Sequence, residues 1–395
     1  MKKNFRLALS TWDEKEIEAA NKVLNSGNFT MGKNVVLFEE QFAQYIGTNY
    51  AVMFNSGSSA NLAMLQGAKY MKGTVLSEGD RVIVPAVSWS TTFFPIHQSG
   101  LILDFIDINP LTLNMDADHV ESIITPKTKA IFAVNLLGNP AELEKLQKIA
   151  KKNNLILLED NCESLGAEIN GKKTGSFGLA GSHSFFFSHH ICTMEGGMVT
   201  TDSKELYEAM ISLRAHGWLR GLEDINSVHN KSNNSWEDLY KFVLPGFNLR
   251  PTEISGAIGS VQLEKFPKFL NTRRQNAEAF KNSFGNEETV QIQSEHGESS
   301  WFGFSIILKG ELSEKRNDLV AFFAEKQIDS RPIVAGNFTR NPVMKHLKVG
   351  KLPNLPNADE VHDKGLFLGN HHLDSESEIE WVHSEFKKFL SLHKH

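Results

Sequence analysis

Between residues 51 and 158 the sequence alternates short apolar runs with longer amphipathic segments. The apolar runs predicted as strands are 51–54, 81–85, 101–106, 129–134 and 155–158. The spacing of apolar residues between them predicts helices at 60–70, 116–124 and 141–152. Strands that alternate with helices in this way form a mostly parallel sheet covered on both faces. The alternation therefore predicts an α/β fold.

The rest of the chain predicts a second, smaller region of α+β pattern. Further predicted elements are helices ending near residue 26 and at 35–46, 204–215, 252–266, 268–280, 313–327 and 375–392, and a strand at 301–308. Residues 217–247 are polar and aperiodic, as is usual for functional or mobile loops. A chain of 395 residues is too long for one ordinary core. We therefore predict a large domain of residues 30–265 and a smaller α+β domain of residues 1–29 and 266–395.

Charge and apolar content argue against two classes of partner. The formal net charge is -6 at pH 7, whereas nonspecific binding of nucleic acids requires an excess of Lys and Arg. No apolar run approaches the length of a membrane-spanning helix. The start of the chain, MKKNFRLALS, also lacks the apolar core of a signal peptide. We therefore expect a cytoplasmic protein that binds neither nucleic acids nor membranes.

The stretch 181–201 reads GSHSFFFSHHICTMEGGMVTT. The aromatic content of 184–187 predicts a buried strand. The Glu-Gly-Gly that follows predicts a tight turn into a second strand at 198–201. His189 would then lie at the tip of a strand-loop-strand unit.

This stretch resembles the DegT/StrS-type sugar aminotransferases, which use pyridoxal 5'-phosphate (PLP). Their usual pattern is Ser-Phe, three residues and the Schiff-base Lys, with Glu-Gly-Gly six residues after that Lys. Counted from Ser184 or from Glu195, the Lys position in this chain is His189. Histidine at this position is typical of a branch that removes a sugar hydroxyl. The resemblance implies an aspartate-aminotransferase-type (fold type I) large domain, with a mixed, mostly parallel sheet of seven strands, and a cofactor that is not covalently tethered.

The resemblance also identifies residues that would bind the cofactor. Asp160, after the apolar run 155–158, would keep the pyridine nitrogen protonated, although its position alone suits a loop or helix-cap aspartate better. Gly57 and Ser58 open a predicted helix, whose free N–H groups suit a phosphate. Ser184 would supply a further hydroxyl to that phosphate, whereas without the resemblance it is an ordinary strand serine.

Three further residues have weaker support. Trp89 would stack on the pyridine ring, although a structural Trp explains the sequence equally well. Glu163 stands where the aminotransferases carry Gln, and it would contact the cofactor. His216 matches a family histidine near the active site, although a lone His after a helix more often interacts with the helix dipole.

Residues 246–250, GFNLR, resemble a family motif whose Asn reaches the cofactor phosphate of the neighbouring subunit. The resemblance implies that Asn248 completes the partner's site, and hence a homodimer with active sites shared across the interface. The alternative for Asn248 is a residue at the entry of the next helix. Arg250 and Arg331 are each candidates for binding the carboxylate of the amino donor.

Metal chemistry is not expected. The spacing of His183, His189 and His190 is not that of a zinc site. A related branch with His for Lys uses an iron–sulfur cluster, which needs about four protein ligands, usually Cys. Cys162 and Cys192 are the only cysteines. We therefore expect no metal and no iron–sulfur cluster.

The resemblance implies a reaction in two stages. L-Glutamate first converts PLP to pyridoxamine 5'-phosphate, with His189 as the proton carrier. The 3-hydroxyl of a nucleotide-linked 4-keto-6-deoxy sugar, expected to be GDP-4-keto-6-deoxy-D-mannose, then leaves, and a 3,6-dideoxy-4-keto sugar and ammonia are released. Three alternatives stay open: the same dehydration of another nucleotide 4-ketosugar such as a GDP-heptose, an ordinary sugar aminotransferase, and a PLP-binding protein without dehydratase activity.

Overall fold

The computed structural model describes residues 3–73 and 76–393. Its α-helices are α1 Glu14–Ser26, α2 Lys33–Ile46, α3 Gly57–Ala68, α4 Ser90–Gln98, α5 Leu143–Lys152, α6 Lys204–Arg214, α7 Ser235–Asp238, α8 Glu253–Phe284, α9 Arg316–Glu325, α10 Pro356–Lys364 and α11 Glu376–His393. Its strands are β1 Tyr50–Phe54, β2 Arg81–Pro85, β3 Ile102–Ile106, β4 Thr128–Val134, β5 Ile156–Asp160, β6 Glu168–Ile169, β7 Lys172–Lys173, β8 Ala180–Ser184, β9 Gly197–Thr201, β10 Val290–Gln291, β11 Gly303–Leu308, β12 Ser330–Arg331 and β13 Gly365–Gly369. No helix in these two ranges combines the length and apolar character that crossing a bilayer requires.

Seven strands form one sheet in the order β1-β9-β8-β5-β4-β2-β3. β9 is antiparallel to both of its neighbours, and the remaining adjacent pairs are parallel. The predicted α/β architecture, with a mixed but mostly parallel sheet, is confirmed. Because all strands except β9 run in the same direction, their carboxyl ends meet at one edge, where open α/β sheets bind ligands.

Both faces of this sheet are buried, as the continuous apolar runs predict. Successive residues of a strand point to opposite faces. Val82 and Val84 of β2 therefore pack in the core that contains α3, α4 and α6. Ile83 between them packs in the core that contains α5.

A second sheet has the order β10-β11-β13-β12, and α8, α9 and α11 contribute to its core. α8 connects the two regions. Its first half packs Leu263 and Phe266 on the side of α2, and its second half packs Phe280 and Phe284 beside the four-stranded sheet. The domain boundary predicted at residues 265 and 266 falls inside this helix, and the division stays a prediction.

The prediction of two helices separated at Pro267 is wrong, because α8 continues through Pro267. A proline inside a helix removes one backbone hydrogen bond and strains the turn before it. Phe266 and Phe269 on either side of it are both buried. Burial of these two rings offsets the local cost of the proline.

Two other sequence expectations are also wrong. The helix predicted at 116–124 is reduced to a 3-10 turn at Val120–Ile123. The Asp116 side chain accepts hydrogen bonds from the Asp118 backbone and the His119 ring, and such local bonds compete with helix formation. The strand predicted at 184–187 ends at Ser184, because its partner β9 begins at Gly197 and pairs with Ser184.

Candidate active site

Asp160 is the last residue of β5, at the ligand-binding edge of the seven-stranded sheet. One carboxylate oxygen, Oδ2, accepts hydrogen bonds from Asn61 Nδ2 at 2.9 Å and from Thr92 Oγ1 at 2.7 Å. The other oxygen, Oδ1, accepts only a longer hydrogen bond from the backbone N–H of Cys162, at 3.2 Å. The carboxylate is thus fixed in direction while Oδ1 keeps capacity for a further donor, such as a protonated pyridine nitrogen.

The turn between β1 and α3 forms a second part of the site. The Ser56 side chain caps α3 by accepting from the Ser59 N–H at 3.1 Å. Gly57 and Ser58 are then the first two helical residues, whose N–H groups have no intrahelical acceptor. A Cβ at Gly57 would lie 2.7 Å from Cβ of Ser184. Only glycine fits here, and the arrangement suits a phosphate held by N–H groups and a hydroxyl.

The structure therefore brings together the side chains that the sequence assigns to the pyridine nitrogen and to the phosphate. They lie on β5, on the turn that opens α3 and at the end of β8. These residues fit PLP in their chemistry, with a carboxylate for the ring nitrogen and a helix N-terminus for the phosphate. Their assignment to the cofactor stays a prediction.

Glu163 lies close behind Asp160. Its Oε2 accepts a hydrogen bond from the Leu137 N–H at 3.0 Å. Desolvation raises the pKa of Glu163 to about 7, and the Asp160 charge contributes in the same direction. At neutral pH this carboxyl is therefore partly protonated, and it can donate a hydrogen bond as the Gln of the family would.

His189 lies in the loop between β8 and β9, in a turn closed by its N–H and the Phe186 carbonyl at 2.9 Å. Its ring packs on the ring of Phe302, with centroids 5.3 Å apart. Within residues 3–73 and 76–393, the buried Nδ1 has no hydrogen-bond partner, which leaves Nε2 as the nitrogen through which the ring can exchange a proton with a ligand. Desolvation, and then the charge of Arg273, lower the pKa of His189 to about 4. The imidazole is therefore neutral at physiological pH and able to accept a proton.

His190 has a different environment from His189, although the two are adjacent. It is fully buried, and its Nε2 lies 3.1 Å from the Ser300 carbonyl. Both residues lie where the chain bends between β8 and β9, outside either strand.

Trp89 and two phenylalanines of the His189 loop have exposed side chains. Trp89 directly precedes α4 and is 57% exposed, and Phe186 and Phe187 are about half exposed. The carbonyl of Trp89 accepts from the Thr92 N–H at 3.1 Å, which links it to a residue that binds Asp160. The Trp89 ring is thus accessible to solvent, and its stacking on a planar ligand stays a prediction.

The GFNLR motif lies beside the phosphate turn of its own chain. The Leu249 carbonyl accepts from the Asn55 N–H at 3.0 Å, and Asn248 pairs with Ala215 in an antiparallel bridge. Asn248 is exposed, and its Oδ1 accepts from Arg250 Nε at 3.0 Å. His216, the residue after Ala215, has a left-handed φ of 64°.

Arg331 lies in the four-stranded sheet, whereas Asp160 and Ser184 lie on strands of the seven-stranded sheet. It is exposed on the edge strand β12, and its Nη1 donates to the Ser330 carbonyl at 2.8 Å. By contrast, Asn61, Thr92, Arg273 and Phe302 contact the site although the sequence analysis did not select them. The Ser-Trp-Ser-Thr-Thr context of Thr92 was the one available signal, since it lies beside Trp89.

Of the three histidines considered for a metal, His183 lies apart from His189 and His190, which share Phe302 as a neighbour. His183 has Asn161 and Thr200 as its hydrogen-bonding neighbours, and His190 has the Ser300 carbonyl. Across residues 3–73 and 76–393, no group of three or more His, Cys, Asp or Glu side chains is arranged to hold a metal ion. The absence of a metal cofactor stays a prediction.

Comparison with known proteins agrees with this geometry. The model of the DegT/DnrJ/EryC1/StrS aminotransferase family matches residues 10–387. The GDP-4-keto-6-deoxy-D-mannose 3-dehydratase of Yersinia pseudotuberculosis is 49% identical over 387 residues, with 98% of this chain and 98% of the relative covered. The enzyme of the same name from Escherichia coli O55:H7 is 47% identical over 386 residues, with 97% and 100% covered.

The same similarity is found among solved structures. A crystal structure of GDP-4-keto-6-deoxymannose-3-dehydratase with a trapped PLP-glutamate geminal diamine superposes with a TM-score of 0.94 at 47% identity, covering 97% of this chain and 100% of that one. The predicted aspartate-aminotransferase-type fold and the family resemblance are confirmed.

Proposed function

Because the chain belongs to the DegT/DnrJ/EryC1/StrS aminotransferase family, we propose that it is a PLP-dependent 3-dehydratase of a nucleotide-linked 4-keto-6-deoxy sugar. The observation that carries this function is His189, which occupies the position of the Schiff-base Lys. The expected substrate is GDP-4-keto-6-deoxy-D-mannose, which is the substrate named for relatives 47% and 49% identical over nearly the whole chain.

The cofactor would be held by residues at the carboxyl edge of the sheet. Asp160 would accept a hydrogen bond from the pyridine nitrogen, and Gly57, Ser58 and Ser184 would bind the phosphate. Trp89 would cover one face of the ring. Once bound, PLP supplies an electron-withdrawing ring and, after taking the amino group of L-glutamate, an amine in its pyridoxamine form.

His189 is the group that moves protons. Its lowered pKa of about 4 keeps the imidazole neutral, so that it can take a proton from carbon. The imidazolium that results is a stronger acid than an ordinary one, because burial and Arg273 disfavour its charge. It therefore gives the proton readily to a poor leaving group such as the 3-hydroxyl.

The overall reaction is balanced without an external oxidant or reductant. Glutamate provides the two electrons and leaves as 2-oxoglutarate. The sugar loses its 3-hydroxyl and gains hydrogen at that carbon, and the amino group ends as ammonia. No iron–sulfur cluster is needed for this balance.

The proposal includes a homodimer whose active sites are shared, and a cytoplasmic location. Asn248 and Arg250 are at the surface beside the phosphate turn, and the half-exposed rings of Phe186 and Phe187 lie on the His189 loop. Such an apolar rim around a ligand site suits contact with a second subunit. Both cysteines are unpaired thiols, as expected in a reducing compartment.

The test is to incubate the PLP-loaded enzyme with L-glutamate and a panel of 4-keto nucleotide sugars, and to weigh the products. We expect a sugar lighter by one oxygen atom, together with ammonia and 2-oxoglutarate, and the GDP-linked 6-deoxyhexose to react fastest. A product that carries an amino group would instead identify an aminotransferase. Preference for a heptose would change the substrate, and no turnover with any ketosugar would contradict the enzymatic function. The His189→Asn variant is the control.

A further inference from the structure

A segment from the side of the four-stranded sheet lies directly behind the catalytic histidine. Ser299 to Phe302 immediately precede β11. The Phe302 ring packs 5.3 Å from the His189 ring, at an interplanar angle of 60°, and 5.8 Å from the His190 ring. A single aromatic side chain therefore contacts both histidines of the loop.

Phe302 matters for His189 because that ring lacks the usual means of orientation. In most catalytic histidines, one ring nitrogen is fixed by a hydrogen bond to a carbonyl or carboxylate. Nδ1 of His189 is buried and has no such partner in the part of the chain that the structure describes. The orientation of the imidazole must therefore come from packing against its aromatic neighbours. Phe186 is the second aromatic neighbour: its ring centroid lies 6.3 Å from that of His189, and its side chain is half exposed.

The backbone of Phe302 is fixed from two directions. Its N–H donates to the Leu137 carbonyl at 3.0 Å, and its carbonyl accepts from Arg273 Nη1 at 3.3 Å. Leu137 has a φ of 54°, which is unusual for a residue with a side chain. Gly138 packs so tightly that an added Cβ would lie 2.4 Å from the Trp301 nitrogen. Strain and close packing of this kind indicate that the position of the segment is strongly constrained.

Arg273 on α8, which donates to the Phe302 carbonyl, is a buried cation. Its side chain is buried, and its acceptors are three backbone carbonyls, those of Trp301 at 3.4 Å, Phe302 at 3.3 Å and Asn370 at 2.8 Å. A buried cation is costly unless it is compensated, and its carbonyl partners carry only partial charges. Desolvation lowers the pKa of Arg273 to about 10, so that the side chain stays charged at neutral pH.

We propose that Phe302 is a positioning residue for His189, that it is held in place by Arg273 and the Leu137 backbone, and that it sets the direction from which the imidazole exchanges protons. The proposal rests on the proposed function in assigning proton transfer to His189. The buried charge of Arg273 has two effects here. It binds the carbonyls of the segment, and it disfavours a second positive charge on the neighbouring imidazole.

The first experiment compares Phe302→Leu with Phe322→Leu. Phe322 is also a partly buried phenylalanine, but it lies on α9 and packs on Phe389, away from the site. In the PLP-loaded enzyme, Phe302→Leu should slow the conversion of the cofactor by glutamate roughly 10- to 100-fold, because small misplacements of a reacting group are that costly. Cofactor affinity should be unchanged. Phe302→Tyr, which keeps the ring, should restore the rate, and Phe322→Leu should leave it unaltered.

A second measurement does not depend on activity. In protein labelled with ¹³C at histidine, the His189 ring resonance is identified by its loss in His189→Asn. Phe302→Leu should shift or broaden this resonance, while Phe322→Leu should not. An unchanged resonance and an unchanged rate in Phe302→Leu would overturn the proposal. A shifted resonance in an enzyme that converts no ketosugar would support the positioning role and contradict the proposed function instead.

The Arg273→Met variant tests the electrostatic part. The charged and titratable neighbours of His189 are Arg273 on α8 and His190 on its own loop, and His190 is itself kept neutral by burial, which lowers its pKa. Loss of the Arg273 charge should therefore move the titration midpoint of the His189 resonance, and the acid limb of the half-reaction, to higher pH. A midpoint that is unchanged in Arg273→Met would remove Arg273 from the proposal. Arg273→Lys, which keeps the charge, should stay close to the native midpoint.

Discussion

The two ends of the candidate site are held by different kinds of interaction. At the carboxylate end, Asp160 is fixed by hydrogen bonds from Asn61, Thr92 and the Cys162 backbone. At the imidazole end, the ring of His189 packs on Phe302, and its buried Nδ1 has no hydrogen-bond partner among the described residues. The first end is built from β5 and from helices α3 and α4, whereas the second depends on a segment that leads into the other sheet.

This difference separates cofactor binding from proton transfer. A carboxylate with directional hydrogen bonds is in place before any ligand arrives, so the carboxylate end should govern affinity. An imidazole that is neutral and unpaired is free to accept and return a proton, so the imidazole end should govern rate. Variants at the two ends should therefore have different signatures, and each prediction below tests that separation.

The largest effect is expected for His189→Asn. Asparagine keeps a polar side chain but cannot titrate, and acid–base groups contribute ~10²- to 10⁴-fold in rate. The conversion of the cofactor by glutamate should slow by that factor, while PLP retention stays unchanged. Stopped-flow absorbance gives the rate, and equilibrium dialysis gives the retention.

His190→Asn is the matched control for this prediction. His190 is buried against the Ser300 carbonyl, so its replacement should affect packing far more than rate. If His190 were essential and His189 dispensable, the alignment of the motif would be wrong by one residue. The claim that His189 governs the rate of proton transfer would then be wrong.

Asp160→Asn should, unlike His189→Asn, weaken the binding of the cofactor. A hydrogen bond to a charged group contributes about 1.5–3 kcal/mol, so cofactor affinity should fall roughly 10- to 100-fold. Titration of the apoenzyme with PLP measures this loss. Equal affinity in the variant and the native enzyme would show that Asp160 does not bind the pyridine nitrogen.

The neighbouring carboxylate provides the control. Glu159 is fully buried and accepts backbone hydrogen bonds from Gly175, Phe177 and Gly178, at 2.7–2.9 Å. Glu159→Gln should therefore lower the free energy of unfolding by about 1–3 kcal/mol. It should leave the PLP affinity of the folded enzyme close to native.

A smaller effect, about tenfold in PLP retention, is expected for Asn248→Ala, since one hydrogen bond to the phosphate would be lost. The more informative measurement mixes this variant with Asp160→Ala after subunit exchange. If the sites are shared, a mixed dimer collects both defects in one site and leaves the other intact. Activity should therefore recover on mixing, and its absence after confirmed exchange would place Asn248 in its own chain's site.

Much of the carboxylate end could be predicted from the sequence, because it depends on local patterns. Apolar runs fixed where parallel strands end, and Asp160 and the Gly57 turn follow such runs. The predicted bounds of β2 agree with the structure, since Pro85 ends a clear apolar run. What the sequence did not reveal are the partners of Asp160, because Asn61 and Thr92 come from helices far away in the chain.

The imidazole end could be predicted only in part. Motif spacing identified His189, but aromatic content suggested a strand at 184–187, where the structure has a turn with Phe186 and Phe187 exposed. Arg273 and Phe302 lie about 85 and 115 residues beyond His189, and the proline at 267 suggested a break in the helix that positions Arg273. Contacts over such separations depend on tertiary packing, which local periodicity does not record.

His183, a buried histidine on the carboxylate side, makes hydrogen bonds that match the neutral form of its ring. Thr200 Oγ1 donates to the Gly175 carbonyl at 2.7 Å, so it must accept from His183 Nε2–H at 3.2 Å. Asn161 Nδ2 then donates to His183 Nδ1, also at 3.2 Å. Both nitrogens are used by the neutral ring. A second proton on Nδ1 would face a donor.

The protonation state of His183 can be tested through the pH dependence of the free energy of unfolding. Burial lowers the pKa of His183 from 6.5 to about 3. Below pH 6.5 the unfolded chain therefore binds a proton that the folded chain does not, so stability is complete above that pH and is lost as pH falls toward 3. The loss should approach about 1.4 kcal/mol per pH unit below pH 6. The free energy of unfolding of the PLP-loaded enzyme, measured in urea, should fall less steeply with decreasing pH in His183→Gln, by that amount. The other buried histidines contribute equally to the native protein and to the variant. Parallel curves would mean that His183 is charged in the fold, and the hydrogen-bond assignment would be wrong.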